Sequence, residues 1–229
     1  MQFNRTRNAS RNIIFGLIQR IYQLLVPFAM RTAMIYWLGV EYLGLDGLFT
    51  SVLSVLNLAE LGVGSAMVYS MYKPVAEEDH KTICALMKLY KIYYRIIGFV
   101  VLVGGLVICP FVPKLISGDL PNGLNVYVLF LLNLAATVLS YWLFSYKNSL
   151  LQAYQRADVV SKVTMIVNTV RYILQFVLLF LLHNYYIYLI VTLGSQAAVN
   201  IGTAIVVDKM FPDFQAKGDI NDKEKRSIN

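Results

Sequence analysis

Long apolar runs separated by short polar stretches dominate the 229-residue chain. Six of them cover roughly 13–38, 43–72, 89–115, 124–151, 160–183 and 186–207. Each is long enough to cross a hydrocarbon core as a helix, which takes about 20 apolar residues. The first would measure about 39 Å, longer than the core is thick, so tilt is predicted. Residues 208–229 are polar and leave no room for a seventh run. The pattern predicts an all-α integral membrane fold: an N-terminal segment over 1–12, a six-helix bundle over 13–207 and a polar tail over 208–229. Arg5, Arg7 and Arg11 look like the start of a signal peptide. The apolar run behind them contains Arg20 and Arg31 and has no small-residue cleavage site, so it is predicted to stay as a span.

Composition strengthens this picture. Hydrophobic residues make up 58% of the chain and charged residues 14%, with a mean hydropathy of +0.59. Soluble domains average about 25% charged residues, so a water-covered surface is excluded. The net charge of +7 would suit a polyanion, but its distribution says otherwise. Sixteen of the 20 Lys and Arg fall before the first run, around the second and fourth connections, or after the sixth. The alternate connections hold only Lys114, and Arg20, Arg31 and Arg171 lie within runs. Positive charge on one side places both termini in the cytoplasm and removes nucleic acid as a partner. Tyr36, Trp37 and Tyr42 at one outer turn, and Tyr185, Tyr186 and Tyr188 at another, read as interfacial belts.

Candidate chemistry lies inside the runs, where an ionisable residue is costly and its default reading is functional. Arg20 and Arg31 are eleven positions apart and return to nearly one helix face, together with Gly16, Gln23 and Pro27. Pro27 should kink that helix and free a carbonyl. Run five repeats the stripe with Thr164, Asn168, Arg171 and Gln175, and run six offers Gln196, Asn200 and Thr203. Run two carries Ser54, Asn57 and Glu60, then Gly62 and Gly64, where a helix can bend. Run four has Asn133, Thr137 and Ser140. Each neutral polar residue alone is accounted for by an interhelical hydrogen bond, and each arginine by snorkelling or an ion pair with Glu60. Polar faces on five runs together point to a hydrated cavity, and three arginines against one glutamate make it cationic. Guanidinium groups match phosphate or diphosphate oxygens.

Motifs of soluble chemistry are thin. Glu77, Glu78, Asp79 and His80 read as the cap of a helix rather than a metal site. His80 and His183 are far apart, and Cys84 and Cys109 suggest neither a disulfide nor a metal. No phosphate-binding glycine loop occurs. Neither an enzyme nor a bound cofactor is expected.

Residues 42–98 resemble the polysaccharide flippase family, the Wzx-type, O-antigen and capsule-repeat group of the multidrug/oligosaccharidyl-lipid/polysaccharide exporter superfamily. The pieces carrying the likeness are 44–49 (GLDGLF), 58–70 (LAELGVGSAMVYS) and 72–76 (YKPVA) before a basic, Tyr-rich helix, with 151–156 (LQAYQR) later. The resemblance implies movement of an undecaprenyl-diphosphate-linked oligosaccharide from the inner to the outer leaflet of a bacterial plasma membrane by alternating access. It implies two lobes related by a pseudo-twofold axis along the membrane normal. This chain then corresponds to the N-terminal lobe, 208–229 to the start of an inter-lobe linker, and a second lobe or second copy becomes a partner. Arg20, Gln23, Arg31, Asn57, Glu60, Asn168, Arg171, Gln175, Gln196 and Asn200 are the expected cavity residues, with Pro27, Gly62 and Gly64 as hinges. A Na+ or H+ gradient is the open candidate for coupling. A cation-coupled multidrug antiporter of the same superfamily and a non-transporting remnant stand as the alternatives.

Overall fold

The computed structural model describes residues 5–60, 62–116, 120–121 and 123–218, with side chains from Asn12 onward except Ala59. The side chains of Arg5, Arg7 and Arg11, and the terminal residues Lys223, Lys225 and Arg226, lie outside the described residues. Among the described residues every regular element is helical. They are α1 (Arg5–Trp37), α2 (Val40–Leu56), α3 (Val63–Ala76), α4 (His80–Ile108), α5 (Val126–Trp142), α6 (Tyr146–Ala153), α7 (Ala157–Leu182) and α8 (Tyr185–Met210). Tighter 3-10 turns cover Asn57–Glu60 and Cys109–Leu115. Four stretches, Asn12–Trp37, His80–Leu115, Ala157–Leu182 and Tyr185–Met210, are long and apolar enough to cross a membrane. The pair α5 and α6, bent by 51°, supplies a fifth if it forms one span. This is the pattern of a multi-pass helical membrane protein.

Several predicted boundaries move, each for a local reason. The basic N-terminal segment is helical from Arg5 onward, so α1 starts before residue 13. Run two is not one helix. It breaks between α2 and α3, where Gly62 adopts φ +85°, a left-handed backbone that a side chain would strain. Gly64, the other expected hinge, is an ordinary helical residue of α3. Pro27 lies inside α1, and the helix runs through it without interruption. Run three extends back to His80 because Asp79 caps α4, its carboxylate accepting from the Lys81 and Thr82 N–H groups and from the Thr82 hydroxyl at 2.6 Å.

Run four breaks at Leu143–Ser145, where Phe144 has φ +60°. The Phe144 N–H bonds to the Trp142 carbonyl. The Ser140 carbonyl accepts instead from the Asn200 amide at 2.9 Å and from the Ser145 hydroxyl. Side chains thus replace the backbone donor that an unbroken helix would have offered.

The helices pack as a row, α1 on α7, α7 on α8, α8 on α5 and α5 on α4. Helix α2 crosses it, touching α1, α4 and α5, while α3 and α6 pack on each other and on α4. Glycine sets the α4–α5 approach. A Cβ on Gly105 would enter the Leu134 side chain, and one on Gly98 would enter the Trp142 ring. At one set of helix ends, Trp37 meets Phe180, Tyr42 meets Tyr185, and the Asn125 N–H donates to the Tyr186 hydroxyl. At the other, Asn12 donates to the Gln155 carbonyl and accepts from the Asp158 N–H.

Residues 211–218 do not leave the bundle as a free tail. Phe211 and Phe214 are buried against Tyr154, and Phe214 also meets the His80 ring. The Cys84 thiol donates to the Asp213 carbonyl. Two apolar rings in a polar stretch are enough to fold it back over the ends of α4 and α6. Residues 219–229 lie outside the described residues.

Candidate functional site

The expected cavity residues divide into separate groups. Arg31 and Arg171 come together near the end of the row where α1, α2, α7 and α8 meet. Both lie within electrostatic range of the Asp46 carboxylate of α2 without an ion pair to it, and that carboxylate accepts from the Tyr185 hydroxyl at 3.3 Å. The same two arginines act on Tyr188. Arg171 lays its guanidinium over the Tyr172 ring, 4.2 Å from the centroid, and its buried Nε has no hydrogen-bond partner. One turn further along α7, the Gln175 amide donates to the Tyr188 carbonyl at 3.1 Å and to the Thr192 hydroxyl at 2.8 Å. Gln175 is 1% exposed and its Oε1 is unsatisfied. The site is a half-buried carboxylate with two unpaired arginines in electrostatic range, drawn from four helices and with unspent hydrogen-bonding capacity.

Asp46 and the tyrosines were not apparent from the sequence as site residues. Tyr185, expected at the interface, is 1% exposed, stacked on Tyr188 at 5.8 Å and edge-on to Tyr42 at 5.5 Å. The available signal was an acidic residue between Gly44 and Gly47 in an otherwise apolar run. Tyr185 and Arg171 come from the far end of the chain and could not be read from local pattern.

Asn57 and Glu60 form a second group at the α2–α3 break. The Tyr141 hydroxyl donates to Asn57 Oδ1 at 3.0 Å, and Glu60 faces the Tyr94 and Tyr141 hydroxyls. Those two rings stack at 6.3 Å. Gly64 borders this group, where a Cβ would make ordinary contact with the Tyr94 oxygen at 3.6 Å and Glu60 Oε1 at 3.7 Å. Glu60 therefore sits among tyrosines, and the expected arginine partner is supplied by Asp46 instead.

The remaining candidates scatter. Arg20 and Gln23 are exposed on α1, as is Arg31 of the first group, while Asn168 and Gln196 are half-buried on α7 and α8. Asn200 is buried and spends its amide on the α5–α6 kink, an architectural bond. In α5, Asn133, Thr137 and Ser140 donate to carbonyls of their own helix. Comparison with protein-family models, curated proteins and solved structures finds no match for this chain.

Proposed function

We propose that the chain is one lobe of a lipid-linked oligosaccharide flippase of the polysaccharide export type, working without catalysis in a bacterial plasma membrane. The observation that carries this reading is an Arg171 with a buried, unpartnered Nε and an Arg31 on the packed apolar helices α7 and α1, both within electrostatic range of Asp46 and neither ion-paired to it. A diphosphate would compete with Asp46 for the two guanidinium groups, and Arg is suited to that exchange because it binds such oxygens in a fork. Glycan hydroxyls lose about 4–8 kcal/mol each when taken unpaired into hydrocarbon. Gln23, Asn168 and Gln196 would replace part of the lost water.

In this reading the chain makes six crossings with both termini cytoplasmic. The segments α2 with α3, and α5 with α6, serve as two broken spans of the kind that transporters use around their sites. The exposed polar face of α1, with Arg20, Gln23 and Arg31, is where a second lobe or second copy would close the cavity. Coupling to a Na+ or H+ gradient would fall to Asp46 and Glu60.

The test is complementation of a strain lacking its polysaccharide flippase, scoring surface polysaccharide against membrane-inserted protein. Arg31→Ala and Arg171→Ala should each lower export about tenfold or more, the loss of roughly 1.4 kcal/mol or more of headgroup binding, with insertion unchanged. Normal export in both variants would remove the site. The tyrosine-ringed carboxylates favour one second reading, a cation-coupled multidrug antiporter. That reading predicts drug efflux in a sensitised strain, lost in Asp46→Asn and Glu60→Gln, with no effect on polysaccharide.

A further inference from the structure

Helix α4 changes character at Arg95. Lys81, Lys88, Lys91 and Arg95 lie in its first part, and no charged residue occurs from Ile96 to Ile108. From Ile96 through the 3-10 turn to Leu115 the chain has about the 20 residues that a hydrocarbon core takes. Arg95 therefore stands at one membrane boundary, with Lys114 near the other. Lys88, Ile92, Arg95, Phe99, Leu102 and Leu106 follow one heptad spacing and lie within about 40° of a single line along the helix. Arg95, Phe99 and Leu106 are exposed on that line, and Leu102 is half-buried. Cation and apolar side chains thus share one face of α4, the charge at the boundary and the hydrocarbon beyond it.

Trp142 borders this face. Its exposed indole donates to the Arg95 carbonyl at 3.2 Å and occupies the space over Gly98. Past the α5–α6 bend comes Tyr146, with Lys91 over its ring at 6.0 Å from the centroid and Arg95 within electrostatic range of its hydroxyl. Asp208 is also in range of that hydroxyl, but both of its oxygens accept from Lys147 Nζ at 2.6 Å. That carboxylate is already answered. Among the described residues, neither Lys91 nor Arg95 has a carboxylate at ion-pair distance. Two cations without a counter-charge, set at a membrane boundary above an exposed apolar face, are the complement of an anionic headgroup on acyl chains.

We propose that this face of α4 binds an anionic phospholipid, its phosphate held by Lys91 and Arg95 beside Tyr146 and its acyl chains lying along Phe99, Leu102 and Leu106. A guanidinium grips phosphate oxygens in a fork, and the ammonium of Lys91 adds a point charge. Nothing in this site depends on the flippase reading, since it requires only that the bundle spans a membrane. The lipid neutralises the two cations and covers the outer face of the helix on which α3, α5 and α6 pack. Its binding therefore stabilises the bundle by mass action.

The test is native mass spectrometry of the full chain in detergent, titrated with dioleoylphosphatidylglycerol and separately with dioleoylphosphatidylcholine. Phosphatidylglycerol is expected to bind about tenfold more tightly or better, and to raise the thermal midpoint where phosphatidylcholine does not. Lys91→Gln and Arg95→Gln should each weaken phosphatidylglycerol about fivefold, and together about thirtyfold, the effect of one interfacial cation apiece. Arg95→Lys keeps the charge and should stay within about threefold of wild type. Lys73→Gln removes an exposed lysine of α3 and should change nothing. Soluble glycerophosphoglycerol, which has the headgroup without the chains, should not displace the lipid. Thermal unfolding of each variant without lipid identifies those that fold, and the Arg95→Gln and Arg95→Lys pair reads the site without the double variant. Equal affinity for the two lipids overturns the proposal, as does an equal loss in Lys73→Gln and in the folded Lys91 and Arg95 variants. Displacement by glycerophosphoglycerol overturns it too, by assigning the cations to a soluble phosphate. The flippase reading is decided separately, by complementation.

Discussion

Helices α1 and α4 begin from the same material and end in opposite circumstances. Both are long, apolar and capable of crossing a bilayer, yet in the most apolar 18-residue window of each, 6% of α1 is buried against 33% of α4. Helix α4 carries Gly98 and Gly105 where α5 presses on it. In α1 the corresponding freedom is unused, since a Cβ on Gly16 would meet nothing within 4 Å. Small residues draw membrane helices together only where a partner approaches closely enough to exploit them. Helix α4 is the scaffold of the bundle, and α1 is its attached flank, held at two ends and carrying a polar face.

That contrast can be broken by experiment, most severely where α1 is tied to α7. The Asp158 side chain is fully buried and pairs with Arg156 at 3.0 Å and Lys162 at 3.4 Å, while its backbone N–H donates to Asn12. Asp158→Ala leaves the two cations without their carboxylate and should cost about 3–5 kcal/mol, read as a lower thermal midpoint in detergent. If the Arg156–Asp158–Lys162 network at this end of α7 is ornamental, the midpoint will not move. Gly105→Leu should cost about 1–3 kcal/mol by overpacking α4 against Leu134. Its counterpart in α1, Gly16→Ala, should gain about 0.5–1 kcal/mol through helix propensity alone. Equal effects at the two glycines would erase the distinction between scaffold and flank.

The smallest effect concerns the cap of α4, at the end of the row away from the site. The Thr82 hydroxyl, then the Thr82 N–H, hold the exposed Asp79 carboxyl below its usual range. A depressed carboxyl contributes stability above its unfolded pKa of about 3.9 and loses it as pH falls through the folded value. The thermal midpoints of wild type and Asp79→Asn should therefore differ at pH 6 and converge at acid pH. A constant difference across that range would assign the cap to geometry and not to charge.

Local pattern carried much of the helical layout because hydrophobic length and composition act through nearest neighbours and the bilayer. The cap at Asp79, the glycine break at Gly62, and an apolar helix from about Val160 to His183 were all legible in this way. The broken fourth run was not, because the freed Ser140 carbonyl is satisfied by Asn200, which reaches it from a helix 60 residues away. The folded-back 211–218 segment was hidden for a similar reason. Phe211 and Phe214 look like interruptions in a polar stretch until Tyr154 and His80 are placed beside them.

By itself, then, the sequence determined a helical membrane protein with arginines in its apolar runs, because the cost of exposing apolar surface to water depends on composition alone. Only the tertiary structure decided which of those polar groups meet. Arg31 and Arg171 came into electrostatic range of Asp46, Glu60 found two tyrosines, Asn200 was spent on a kink, and Arg20 remained exposed. Hydrogen bonds act over a few ångströms and charges in an apolar setting somewhat further, and only the packing of α1, α2, α7 and α8 brings residues 31, 46, 171 and 188 into one electrostatic neighbourhood.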